Sequence, residues 1–281
     1  MLGKLLKYEF KSTSRIMWIL YGALIVVAIL LGLLIRLQIG PENIVMGGGA
    51  YEYSISDERV NSFFNTTMVI LGMAYVLMVQ AIAVVTVIMI ILRFSKNLLG
   101  GEGYLMHTLP VSTTSLISSK LIISILWIVI AVVAGLLSFL AFGATSGAIG
   151  IIIEGNLWGK VIESLRNLMN WHTVLAMITG VVVTISSILE LYVSMAIGNL
   201  ANKNKFILSV GAYIAIQVLL TILSVIYATI GENSLFGYGG MTDSLAFLDS
   251  LMIKTMIIRL IMIICAFTGT TYILKNKLNL A

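Results

Sequence analysis

Ser187, Glu190 and Ser194 recur at spacings of three and four residues inside an apolar run, so a helix places them on one face. With Gly180, Thr184 and Gly198 they occupy about a third of the helix circumference, and Tyr213, Gln217, Thr221 and Ser224 share a face in the next run. Small and hydroxyl residues on a face let helices approach closely. Glu190 demands more. It is the only acid well inside any of the long apolar runs, about 10 Å from the nearer end of its own. A carboxylate at that depth is costly and faces either a cavity or a partner. Two chemistries are open. Glu190 is half of a structural pair that fastens helix ends together, or it is the centre of a site for a cationic substrate, an ion or a proton, with Ser187, Ser194 and Gln217 beside it.

Other chemistries lack their residues. No Gly-x-x-x-x-Gly-Lys-Ser/Thr segment occurs, so the chain has no loop to cradle ATP phosphates. His107 and His172 are the only histidines, and neither belongs to a His-Glu-x-x-His pair. No Ser, His and Asp set gathers at one depth for nucleophilic catalysis. The lone Cys265 falls within an apolar run and reads as a small hydrophobe. The chain is therefore not expected to be an enzyme or to bind a metal or cofactor of its own.

Composition identifies the solvent. Hydrophobic residues make up 59% of the 281 and charged residues 10%, far from the balance of a water-soluble domain. Crossing the hydrocarbon takes about 20 apolar residues. Six runs qualify: Met17 to Ile35, Met68 to Leu92, Leu121 to Phe142, Val174 to Ile197, Phe206 to Ile230 and Thr255 to Leu274. Lipid tolerates no unpaired backbone, so each run is a helix and the fold class is an all-α membrane protein of six transmembrane helices. Residues 1–281 read as one transmembrane domain.

Orientation follows from Lys and Arg, whose translocation is disfavoured. With the N-terminus inside, Lys4, Lys7, Lys11, Arg15, Arg93, Lys96, Lys120, Lys203, Lys205, Lys275 and Lys277 are cytoplasmic, eleven of the 17 basic residues. Arg36, Arg59, Lys160, Arg166, Lys254 and Arg259 fall outside. Both termini are expected in the cytoplasm. The net charge of +5 is thus a topological signature and not a nucleic-acid footprint. The outer segments are short and rich in Gly, Ser and Asn; in the second, Trp158 to Met169 could form an interfacial helix.

Residues 1–15 project as an amphipathic helix suited to lie along the inner leaflet. Leu2, Leu5, Leu6 and Phe10 cluster opposite a stripe of Lys4, Lys7, Lys11 and Arg15. Glu9 falls in the middle of the apolar side. Such a carboxylate requires a basic partner, and the expected sources are Arg93 and Lys96.

Those two cations open the segment 93–120, which interrupts the second and third runs. Gly100, Gly101 and Gly103 permit a tight turn. Leu105 and Leu109 lie four apart on one helical side, with Tyr104 beside them, until Pro110 stops the helix. Ser112 is placed to cap the following helix, with Ser115 at its third position. The product is a short cytoplasmic helix presenting Glu102, Tyr104, Met106 and His107.

The order of residues here carries a further meaning. Gly101-Glu102-Gly103-Tyr104-Leu105, then Thr108-Leu109-Pro110-Val111-Ser112, then Ser119-Lys120-Leu121, resemble the signature of bacterial ABC transporter permeases of the type-2 exporter superfamily. The N-terminal Leu5-Leu6-Lys7-Tyr8-Glu9-Phe10-Lys11 and the terminal Lys277-Leu278-Asn279-Leu280 are similar to the same proteins. The resemblance implies that the segment is a coupling helix docking into a separate ATPase subunit, which binds ATP and Mg. Glu102, Gly103, Tyr104, Leu105, Met106, His107, Leu109 and Pro110 would form that contact, Glu102 offering a charged hydrogen bond. It further implies a homodimer or heterodimer with a second permease, residence in the bacterial cell membrane, and efflux driven by the partner's ATP hydrolysis. The alternative from the residues alone is a secondary transporter or channel using Glu190 as its ion or proton site.

Overall fold

The computed structural model describes residues 2–39, 58–100, 112–146, 166, 170–201, 203–229 and 241–276. Six long helices occur among them: α1 Leu2–Ile39, α2 Glu58–Phe94, α3 Thr113–Ser146, α4 Trp171–Gly198, α5 Lys205–Thr229 and α6 Met241–Asn276. Each contains a stretch long and apolar enough to cross a membrane. None of the six helices contains a proline.

Most helices outrun the apolar stretches that predict them. α1 has 38 residues and α6 has 36, or roughly 55 Å each at 1.5 Å per residue, against about 30 Å of hydrocarbon. The separate interfacial helix expected over residues 1–15 is not a distinct element, because α1 continues from Leu2 through the whole first span. No Gly or Pro lies between Lys4 and Met17 to interrupt it, and extending a helix is easier than nucleating a second one. Likewise α6 begins at Met241, well before the apolar run Thr255 to Leu274, and α2 opens at Glu58, well before the run that starts at Met68. The Trp158 to Met169 segment lies outside the described residues except for Arg166, which is helical.

The chain forms two compact units. The first comprises Met1–Glu9, Met89–Ile125 and Ser164–Ala281. Within it α4 packs against both α5 and α6. His172 pairs with Asp249, Glu190 with Arg259, and Val193 lies against Gly269, so contacts climb both helices in the same sense and α4 and α6 run parallel. Gly198 closes the α4–α5 turn. A Cβ there would stand 2.7 Å from the Lys205 carbonyl oxygen, so only glycine lets the two helix ends meet.

The second unit comprises Phe10–Ile88 and Leu126–Glu163. Its centre is Trp127, whose Nε1 donates to Thr13 Oγ1 at 3.0 Å and whose ring stacks on Phe10 with centroids 5.2 Å apart. Tyr21 Oη hydrogen-bonds Thr86 Oγ1 at 3.2 Å, and Tyr75 Oη meets Ser138 Oγ at 2.8 Å. Buried hydroxyls and indole thus find partners across helices, as an interior without water requires. Gly32 faces α3 closely, its hypothetical Cβ 2.8 Å from the Phe142 carbonyl oxygen. The outer faces are apolar: Leu77, Phe139, Ile207 and Ile264 are all exposed. Lipid is the medium that suits such faces.

Gly32→Ala and Gly198→Ala should each lower stability by about 1–3 kcal/mol through overpacking. Gly72→Ala and Gly135→Ala meet open space and should be neutral or stabilising by up to about 1 kcal/mol, because alanine favours helix. Apparent thermal midpoints in detergent, followed by helical circular dichroism, separate the two pairs.

Candidate functional site

Glu190 is completely buried, and the protein surrounds it with donors. Arg259 Nη1 on α6 donates to Oε1 at 2.7 Å, Ser186 Oγ one turn earlier on α4 donates to the same oxygen, and Gln217 Nε2 on α5 donates to Oε2 at 2.8 Å. Three helices therefore meet at one carboxylate. The sequence located Glu190 and Gln217 on facing polar stripes, and the structure brings them together. Ser187 and Ser194 instead bond back to carbonyls of their own helix, Val183 and Leu191. Arg259, an outer cation by its place in the sequence, and Ser186, one residue from the predicted stripe, are the partners that sequence reasoning missed. Arg259 sits near the middle of α6, since that helix begins well before the apolar run that marked the span. This geometry favours the structural pair: each carboxylate oxygen has a donor, and no face of the side chain is open to a substrate.

A second buried carboxylate lies near the N-terminus. Glu9 is 8% exposed, and its Oε1 accepts from Lys120 Nζ on α3, itself 5% exposed, and from Asn97 Nδ2 at 3.4 Å. The need for a cation at Glu9 is legible in its place on an apolar face. The structure brings Lys120 to Glu9, from the far end of the segment whose near end carries Arg93 and Lys96. In the sequence Lys120 is only the last residue before an apolar run, and its inward reach depends on the angle between α1 and α3.

Both ends of the 93–120 segment are fastened. α2 does not stop at Phe94 but widens into one π-helical turn, Ser95–Leu99, with Asn97 and Leu98 buried. Such turns re-aim side chains that a regular helix would misplace; here Asn97 reaches Glu9. Phe94 stacks on Tyr192 of α4, centroids 4.0 Å apart, and Tyr192 Oη hydrogen-bonds Ser124 Oγ on α3 at 2.8 Å. At the other end Ser112 caps α3 as expected, accepting from the Ser115 N–H at 3.3 Å. The eight residues assigned to an ATPase contact, Glu102, Gly103, Tyr104, Leu105, Met106, His107, Leu109 and Pro110, lie outside the described residues.

At the opposite end of α4, His172 Nδ1 lies 2.7 Å and 2.8 Å from the two Asp249 carboxylate oxygens. No group of His, Cys, Asp and Glu able to hold a metal ion occurs among the described residues. Neither a family model, nor a curated protein, nor a solved structure matches this chain.

Glu9→Ala or Lys120→Ala alone should cost about 3–5 kcal/mol by stranding a buried charge, while Glu9→Leu combined with Lys120→Met should recover most of that loss. Chemical denaturation in detergent reads both. For the intramembrane pair, Glu190→Gln and Arg259→Gln should each reduce the yield of folded protein, and the two together should restore it. A Glu190→Gln protein that folds with wild-type yield would instead favour the cation-site reading.

Proposed function

We propose that this chain is the permease subunit of an ATP-driven exporter of the type-2 ABC superfamily. The observation that carries the reading is the anchoring of the 93–120 segment at both ends. Its near end is tied to α1 and α4 through Asn97 and Phe94, and its far end to α1 through Lys120. A force applied between Gly100 and Ser112 is thereby passed to α1 and α4 as well as to the two spans the segment joins. A loop serving only to join two spans has no use for such bracing. The sequence resemblance of Glu102 to Pro110 to a coupling helix gives the force its source, a separate ATPase subunit holding ATP and Mg.

The six apolar helices support a multi-pass membrane protein. Orientation rests on charge. Pairing withdraws Arg259 from the outer count and Lys120 from the inner one, leaving ten cytoplasmic cations against five, so the bias toward a cytoplasmic N- and C-terminus persists. The exposed Lys7, Lys11 and Arg15 on α1 face anionic headgroups or the ATPase, while Glu9 on the other side is enclosed. Two such permeases, identical or related, would join two ATPases in the bacterial cell membrane. ATP-driven closure of the ATPases pushes the coupling helices, and the bundles open outward to release a substrate taken from the cytosol or inner leaflet. Glu190 weighs against a secondary transporter or channel, since its carboxylate is already satisfied by Arg259, Gln217 and Ser186.

The reading is tested by asking whether a neighbouring reading frame encodes a P-loop ATPase and co-expressing that ATPase with the full chain. The ATPase should co-purify, and Glu102→Ala with Tyr104→Ala should weaken association about tenfold or more, equivalent to losing a charged hydrogen bond of ~1.5 kcal/mol or more. Association unaffected by both substitutions would remove the coupling helix from the proposal.

A further inference from the structure

Between the end of α2, the end of α4 and the start of α5 lies a cleft of about 710 Å³. Its walls are apolar along Ile91, Leu191, Met195 and Val210, all of them from helix segments that carry the spans. Its charged groups are of one kind. Lys96 from the π-helical turn and Lys205 at the first position of α5 both line it, both are exposed, and no acidic residue among the described residues lines it. The start of α5 adds the positive end of a helix dipole and N–H groups without intrahelical acceptors.

An independent observation points to an occupant. Asn199 borders the same cleft, is 9% exposed, and its buried Nδ2 has no hydrogen-bond partner among the described residues. A buried amide donor left unmatched costs about 1–3 kcal/mol. The main chain at Asn199 is held in place: its N–H closes α4 on the Met195 carbonyl at 3.0 Å, and the preceding Gly198 is pressed against the Lys205 turn. An anionic oxygen in the cleft would give both lysines a counter-charge and stand beside an amide that has no acceptor among the described residues.

We propose that this cleft binds a phosphate-headed amphiphile, an anionic phospholipid, with its phosphate among Lys96, Lys205 and Asn199 and an acyl chain along Ile91, Leu191, Met195 and Val210. Basic pockets between spans at the lysine-rich end of a membrane protein suit such headgroups. A free phosphate ester would satisfy the lysines but leave the apolar walls unused, so the walls select the lipid. The site stands whether or not the chain serves an exporter.

The test uses the full chain in nanodiscs of phosphatidylcholine containing a minority of phosphatidylglycerol, with retained lipid counted by native mass spectrometry. The wild type should retain phosphatidylglycerol selectively. Lys96→Gln with Lys205→Gln should reduce that selectivity roughly tenfold or more. Arg36→Gln with Lys275→Gln, removing the same charge from exposed positions of α1 and α6 away from the cleft, should leave it unchanged. Asn199→Asp, nearly isosteric, should abolish retention by placing a carboxylate beside the phosphate, with unaltered helical circular dichroism showing that the fold persists. Equal loss from the Arg36 and Lys275 pair would reduce the effect to general surface charge and overturn the site. Selective retention surviving both Asn199→Asp and the Lys96 and Lys205 pair would overturn it too. Millimolar glycerol phosphate should fail to displace the lipid; complete displacement would show that the headgroup alone is recognised and overturn the role of the walls.

Discussion

A carboxylate taken out of water must be given hydrogen-bond donors by the protein, and much of the first unit's architecture follows from meeting that demand at Glu190. Burial of an unpaired charge in a low-dielectric interior costs several kcal/mol. The donors come from α4 itself, from Gln217 on α5 and from Arg259 on α6, so their supply fixes how three helices are placed. Lipid gives no hydrophobic drive for one apolar helix to prefer another, which leaves packing and polar contacts to choose the partners. Gly198 and Gly269 serve the packing, and the Glu190 group serves the polar contacts.

Glu190 is also joined to the segment between α2 and α3. Two residues along α4, Tyr192 stacks on Phe94 at the end of α2 and hydrogen-bonds Ser124 on α3. One turn before Ser124, Lys120 reaches Glu9 on α1, where Asn97 also arrives. The path from Arg259 to Glu9 thus runs through buried side chains of several helices. Spatial continuity alone does not establish coupling, but such a path is what a subunit driven from one end would require.

The two buried ion pairs differ in what surrounds them. Glu190 and Arg259 lie deep in long apolar helices, where removing either partner strands a charge far from water. Glu9 and Lys120 stand at helix ends beside the cleft-lining turn of Ser95–Leu99, so the same polar end of the unit holds an enclosed pair and, a few residues away, two exposed lysines with a donor unmatched among the described residues. An enclosed cation meets its carboxylate within the chain. Lys96 and Lys205, facing a cleft without acids among its described lining, point to chemistry supplied from outside.

Composition and run length by themselves determined that the chain has six helices long and apolar enough to cross a bilayer, because lipid permits no other satisfied backbone of that length. They also marked Glu9 and Glu190 as groups in need of partners, since a carboxylate on an apolar face has no other stable fate, and they placed the Ser112 cap from side-chain chemistry local to three residues. The tertiary structure alone decided who the partners are. Lys120, Arg259 and Ser186 are each readable as ordinary residues of their runs, and only helix crossing and rotation carry them to their carboxylates. The helix ends were decided in the same way: beyond the hydrocarbon, hydropathy no longer distinguishes helix from loop, whereas an uninterrupted hydrogen-bond ladder carried α1 back to Leu2 and α6 back to Met241.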